Sequence, residues 1–399
     1  MTILTRRNML ALAGSALAAP AIAQTKQAPG VTATELLIGQ TMPYSGPASS
    51  YAPIGKVEVA YIGMINKKGG INGRQIKLLS VDDGYSPPKT VEQTRKLVEE
   101  DGVACIFQQL GTPCGLSTRK YLNARKVPQI FVASGATQFA DPEHYPWTIG
   151  WQVSYQIEGR VYAKHILQTK PNAKMAVLYQ NDDSGRDFLK GFKDGLGDKI
   201  GQLAATTSYE PTDPTVDSQV VELHASGADA LFVGGIPKFN AMALRKVRDL
   251  DWNPIYLIAS VGSSVSSGLA PAGLDKAVGL ITGAYMKDPS DPQWKTDPGY
   301  RDWLAFMNEY MPGSDLSDIN NVYGYCAAQT GVQVFTQCGN DLSRANIMRQ
   351  AANLDIQLPM FHNGIRYHTT ATDFLGIKRL RLQRFDGKAW VPFGEPIAA

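Results

Sequence analysis

Strand-like and helix-like segments alternate along almost the whole chain, and they do so in two successive runs. In the first run, Glu35–Thr41, Gln75–Val81, Val103–Phe107 and Gln129–Ala133 read as short apolar strands. Between them, Val57, Ala60, Tyr61, Met64 and Ile65 recur at helical spacing, and Pro88–Glu100 and Leu116–Ala124 carry further helical patterns. Lys68-Gly69-Gly70 stops the first of these helices. The second run begins after Trp151, with helices at Ile157–Gln168, Asp187–Gly195, Val216–Ala225 and Asn240–Leu250. Its strands are Lys174–Tyr179, Ala204–Tyr209, Ala230–Val233 and Ile255–Ala259. Parallel strands need crossovers of this length, so each run predicts an open, doubly wound parallel sheet. The expected fold class is α/β with two such lobes. Beyond residue 283 lie three helical patterns, Tyr300–Tyr310, Asn321–Gln337 and Ser343–Ala352, and then a hairpin, Leu380–Phe385 and Ala389–Pro392, turning at Asp386-Gly387. Asp141–Gln152, Met286–Gly299 and Leu358–Thr372 lack either pattern; the second reads as a surface loop rich in Asp and Pro, and the first and third suit crossings between lobes.

The amino terminus has a different character. Arg6-Arg7 precedes a weakly apolar run, Ala11–Ala19, and the small-residue site Ala21-Ile22-Ala23. This reads as an export signal of the twin-arginine type, residues 1–23, cut after Ala23; an ordinary Sec signal is the alternative. Either gives a periplasmic location. Arg6 and Arg7 supply two of the three net positive charges, so the remaining 376 residues are close to neutral. That balance argues against a nucleic-acid partner and against a polybasic membrane surface. No apolar stretch after residue 24 approaches the roughly 20 residues of a membrane span, so the mature form is not expected to span a membrane.

Most catalytic signatures are missing. His144, His165, His224, His362 and His368 never fall at i, i+4, and no CxxC, GxSxG or GxxxxGK occurs. No metal, cofactor or catalytic residue is expected. Cys326 and Cys338 are twelve residues apart on one helical pattern, about 18 Å, too far to bridge. The four cysteines read mostly as small buried hydrophobes.

Two loops each follow a strand and open a helix. They are Leu110–Gly115 and Ala133–Thr137. Loops at the carboxyl ends of parallel strands form the ligand crevice of open α/β sheets. Free N–H groups there suit a small carboxylate, glycines such as Gly111 and Gly135 let it approach, and Thr112, Ser134 and Thr137 add hydroxyls. Plain helix capping explains the same residues equally well. Tyr44, Tyr51, Trp151 and Tyr155 would supply aromatic walls.

Ile65-Asn66-Lys67-Lys68-Gly69-Gly70-Ile71-Asn72-Gly73-Arg74, followed by a strand and Asp82-Asp83, is a specific signature. With Tyr44-Ser45-Gly46-Pro47, Val127-Pro128, Ser134–Thr137 and Asp183-Ser184-Gly185, it resembles the periplasmic solute-binding proteins of branched-chain amino-acid (Leu/Ile/Val-binding) ABC importers. The resemblance implies a type I periplasmic-binding fold, two lobes joined by three crossover segments, with ligand enclosed between them by hinge closure. Lobe 1 would comprise residues 34–150 and 283–357, and lobe 2 residues 151–282 and 358–399. It implies a ligand carboxylate held by Gly135, Ala136 and Thr137 and by Gly111, Thr112 or Cys114, with Tyr51 over the ligand side chain. Trp151, Tyr155, Ser184, Ile236 and Val261 complete the expected site. Tyr155 and Val261 stand where amino-acid binders of this family place acids that hold the ammonium, and Tyr85 stands where a disulfide cysteine would be. The expectation is therefore an organic acid, aromatic or aliphatic, without an α-amine. The alternatives are a branched-chain or other hydrophobic amino acid, with Glu158 or Asp183 replacing the lost acid, and a ligand sensor for a regulator. An inner-membrane ABC permease is the implied partner, and a monomer is expected.

Overall fold

The computed structural model describes residues 28–398; the expected export signal and its cut after Ala23 lie outside the described residues. Strands β1 (Glu35–Met42), β2 (Gln75–Asp82), β3 (Ile106–Phe107), β4 (Gln129–Val132) and β5 (Thr148–Gly150) form one sheet in the order β2-β1-β3-β4-β5. All its pairings are parallel. Helices α1 (Ala52–Lys67), α2 (Pro87–Glu99) and α3 (Thr112–Ala124) connect the strands. Every residue of β4 is buried, as a parallel strand covered on both faces requires.

The second sheet follows helix α4 (Tyr155–Thr169). Its strands are β6 (Met175–Gln180), β7 (Leu203–Tyr209), β8 (Ala230–Gly234), β9 (Ile255–Ile258) and β10 (Ile281–Ala284), with helices α5 (Asp183–Leu196), α6 (Asp217–Ala225) and α7 (Pro237–Asp249) between them. The hairpin β13 (Arg379–Phe385) and β14 (Trp390–Ala398) joins its edge antiparallel, giving the order β14-β13-β10-β9-β8-β6-β7. Helices α8 (Pro298–Tyr310), α9 (Ile319–Gln337) and α10 (Arg344–Ala351) return to the first sheet's side. There α9 crosses α1 so closely that a Cβ on Gly324 would stand 2.6 Å from the Ile54 carbonyl oxygen.

Three differences from the sequence expectation are instructive. The segment expected as the strand Val103–Phe107 forms a ladder only at Ile106–Phe107, although Ala104 N–H still donates to Leu37 O at 2.8 Å. Strands β5, β10 and the ribbon β11 (Leu354–Ile356) with β12 (Tyr367–Thr369) are short strands that the sequence pattern did not mark. The expected lobe limit at residue 283 falls inside β10, where the chain is still in the second sheet.

The chain passes between the sheets at residues 151–154, 285–297 and 357–378. These crossings meet on one aromatic cluster. Trp151, fully buried, lies 4.7 Å from the Tyr323 ring of α9, 6.1 Å from Tyr285, 5.9 Å from Phe361 and 6.2 Å from Tyr367, centroid to centroid. Its indole N–H donates to Thr330 Oγ1 at 3.0 Å, and Tyr367 OH donates to Gly150 O at 2.8 Å. Aromatic pairs of this kind, three edge-to-face and one stacked, stabilise beyond the area they bury. Replacing Trp151 by Ala should therefore lower unfolding free energy by about 3–5 kcal/mol, read as a reduced urea midpoint. A loss below about 1 kcal/mol would mean that the crossings are held elsewhere.

Candidate ligand-binding site

A cavity lies between the two sheets. Its walls come from the carboxyl ends of strands in both. After β1 comes Tyr51, after β2 Tyr85, and after β3 Gly111 and Thr112; from the other sheet come Gln180 and Ser184 after β6, Ile236 after β8, and Ser260 and Val261 after β9. This is where an open α/β sheet offers backbone donors and accepts inserted loops. The crossings add Gln152 and Tyr285, and α4 opens with Tyr155. Five tyrosines (Tyr51, Tyr85, Tyr155, Tyr285 and Tyr323) line the space, and Tyr155 stacks on Phe188 at 4.1 Å. Among the described residues that line the cavity, none is Asp, Glu, Lys, Arg or His.

Six helix amino termini reach this wall, those of α1, α3, α4, α5, α7 and α9, and the two at α5 and α3 differ. At α5, Asp182 caps the helix: its carboxylate accepts from Ser184 N at 2.9 Å, Gly185 N at 3.1 Å and Gln180 Nε2 at 2.5 Å. That terminus already holds its own anion. At α3 the N-cap is Gly111, at φ 101°, and it offers no side-chain cap. Pro113 has no N–H, and the first helical turn leaves the N–H groups of Thr112 and Cys114 without intrahelical acceptors. Thr112 Oγ1 shares a hydrogen with Ser134 Oγ at 2.6 Å. The positive end of α3 is open to a ligand anion. Gly111 is needed there for two reasons: its φ favours glycine, and a Cβ would stand 2.5 Å from the Tyr85 ring.

Nearby acids face away. Glu158 is buried behind Ser260, accepting from Ser260 N at 2.6 Å, Ser260 Oγ at 2.7 Å and Tyr162 OH at 2.7 Å. Burial pushes its pKa up to about 7 despite those donors. Asp183 pairs with Arg186 at the surface. Neither lines the cavity. Across the cleft, Tyr51 OH donates to Val261 O at 2.9 Å, and Gln180 Nε2 approaches Tyr85 OH at 3.4 Å. These two contacts tie the lobes in a closed arrangement.

Of the residues expected in the site, Tyr51, Gly111, Thr112, Tyr155, Ser184, Ile236 and Val261 line the cavity together. Cys114, Gly135, Ala136, Thr137 and Trp151 do not. Cys114 points into the interior beside Asp83 and Thr90, where burial raises its thiol pKa, the opposite of what a nucleophile needs. Gly135 is small because the crossing passes over it: a Cβ would meet Val153 O at 2.1 Å. Ala136 is buried, with its N–H on Ser134 Oγ at 3.1 Å. Thr137 already holds a carboxylate, since its N–H and hydroxyl both donate to Asp187 at 2.8 Å. Gln156 Nε2 donates to the same Asp187 at 2.6 Å, and burial raises that carboxyl's pKa. Trp151 belongs to the junction of the crossings. Tyr85, Gln152, Gln180, Phe188, Ser260, Tyr285 and Gln383 line the cavity without having been expected there. Tyr85 follows the Asp82-Asp83 signature and was legible only as a missing cysteine; Gln383 sits in the carboxyl-terminal hairpin, far from any strand-to-helix loop.

Among the described residues, no cluster of three metal-ligating side chains occurs, and no helix is long and apolar enough to cross a membrane. A sequence profile described as periplasmic binding protein matches residues 35–389. The Leu/Ile/Val-binding protein homolog 1 of Brucella abortus is 23% identical over 313 residues, 77% of this chain and 80% of that protein. A branched-chain amino acid ABC transporter structure from Thermus thermophilus with bound valine superimposes with TM-score 0.82 at 17% identity, covering 92% of this chain and 98% of that one. A fatty acid ABC transporter substrate-binding protein from Thermomonospora curvata gives TM-score 0.80 at 19% identity, covering 94% and 95%. The two structures establish the two-lobed α/β fold, and the profile establishes the kinship: the chain belongs to the periplasmic binding protein family.

Proposed function

We propose that this protein is the extracytoplasmic receptor of an ABC importer, non-catalytic, which closes its two lobes on one small carboxylate and presents it to a membrane permease. The proposed ligand is a largely apolar organic acid without an α-amine. One observation carries this reading: the cavity wall holds no ionised side chain, yet it includes the uncapped amino terminus of α3. A carboxylate meets free N–H groups there, whereas an α-ammonium would be enclosed without an anion, at a cost of several kcal/mol. The tyrosines and Phe188 suit an aromatic or aliphatic body. One fold neighbour, the fatty acid ABC transporter substrate-binding protein, is in keeping with an acid of this kind.

The second reading is a branched-chain amino acid. The comparisons favour it more directly, through the Leu/Ile/Val-binding relative and the valine-bound neighbour. Backbone carbonyls and tyrosine hydroxyls would then have to hold the ammonium.

Calorimetric titration with L-leucine and with 4-methylpentanoate, which is leucine without its amine, separates the two. The acid reading expects 4-methylpentanoate to bind at least about tenfold more tightly, a difference of about 1.4 kcal/mol; tighter leucine binding would reject it in favour of the amino acid. Gly111→Ala should weaken whichever ligand binds by roughly tenfold or more, with unfolding still cooperative, because the new Cβ displaces Tyr85. Unchanged affinity would remove the α3 terminus from the site.

A further inference from the structure

The polar side chains of the cavity wall are mostly committed to the protein itself. Gln152 is used at both ends: its Nε2 donates to Tyr155 OH at 2.8 Å and its Oε1 accepts from Tyr323 OH at 3.0 Å. Ser184 Oγ donates to Asp182, and Ser260 Oγ donates to Glu158 at 2.7 Å. Two wall residues are different. Tyr285 and Gln383 make no side-chain hydrogen bond among the described residues, although they are only 4% and 3% exposed. Gln383 Oε1 is sealed within the protein, whereas Gln383 Nε2 and Tyr285 OH are not, so these two atoms are the ones left to the cavity.

Both groups are held in place. Tyr285 is the first residue after β10, and its ring lies 6.1 Å from Trp151 and 5.7 Å from Phe361. Burial keeps its phenol protonated, so it can donate. Gln383 sits within β13, paired with Thr282 of β10 on one side and Pro392 of β14 on the other. The two donors thus belong to the second sheet and the crossing that leaves it, whereas α3 follows a strand of the first. A hydrocarbon at this end of the cavity would strip water from both donors and give no acceptor in return, and sites built to bond an oxygen discriminate strongly against ligands that lack it. A second carboxylate there would be enclosed without a cation, since no Lys, Arg or His lines the wall among the described residues.

We propose that Tyr285 and Gln383 form a specificity subsite that takes an uncharged oxygen at the far end of the ligand. The ligand is then a hydroxy- or oxo-acid whose oxygen is remote from its carboxylate. The placing of the carboxylate at α3 rests on the reading under Proposed function; the far-end oxygen does not require that the α-amine be absent.

Calorimetric titration compares 3-(4-hydroxyphenyl)propanoate with 3-phenylpropanoate, which lacks only the far oxygen, in the wild type and in Tyr285→Phe and Gln383→Leu. Neither substitution removes a side-chain hydrogen bond made within the described residues, so both variants should unfold as cooperatively as the wild type. The wild type should bind the hydroxylated acid at least about tenfold more tightly, and each variant should cut that preference by about threefold or more while 3-phenylpropanoate keeps its affinity. A merely structural role would weaken both acids alike and leave their ratio unchanged; that result, or a wild type without the preference, overturns the subsite. If neither acid binds, it is the amine-free reading that fails, and L-tyrosine against L-phenylalanine then puts the same question with the amine present, judged by the same ratios. Absence of binding by all four probes overturns the subsite as well.

Discussion

Everything about the cleft depends on the packing around Trp151. Three chain crossings have to pass between two sheets without leaving polar backbone stranded, and they do so by converging on one indole. Tyr285 comes from the second crossing, Phe361 and Tyr367 from the third, and Tyr323 from the long helix α9. Two polar anchors, indole to Thr330 and Tyr367 to Gly150, fix the cluster's orientation. Tyr285 and Tyr323 also line the ligand cavity. The floor of the site and the junction of the lobes are therefore one packed unit, and a ligand pressing on the first acts on the second.

The electrostatics of the cleft follow from where this chain has spent its carboxylates. Asp182 neutralises the amino terminus of α5, Asp187 occupies the donors of Thr137, and Glu158 is turned onto Ser260 and Tyr162. Each acid that could have faced a ligand instead satisfies donors of the protein. What is left exposed to the cavity is a ring of phenols, carboxamides and hydroxyls around the open end of α3.

The architecture was legible because strand and helix periods repeat often enough to be counted; β1, β2, β4 and β6 through β9 all lie where alternation places them. The short strands β5 and β10 were not read, and what places them is pairing with neighbours distant in sequence. The site was half legible for a related reason. Gly111 and Thr112 could be read from a strand–loop–helix pattern. Gly135–Thr137 has the same pattern, and nothing local reveals that Asp187, fifty residues on, folds back onto Thr137. Gln383 and Tyr285 enter the wall through tertiary packing of the hairpin and a crossing, so no local motif announces them.

The most direct test of the charge-free cavity is the identity of what it carries. Mass spectrometry of small molecules released from the purified, folded protein should show a carboxylic acid without a primary amine. Recovery of leucine, isoleucine or valine in stoichiometric amount would contradict that account.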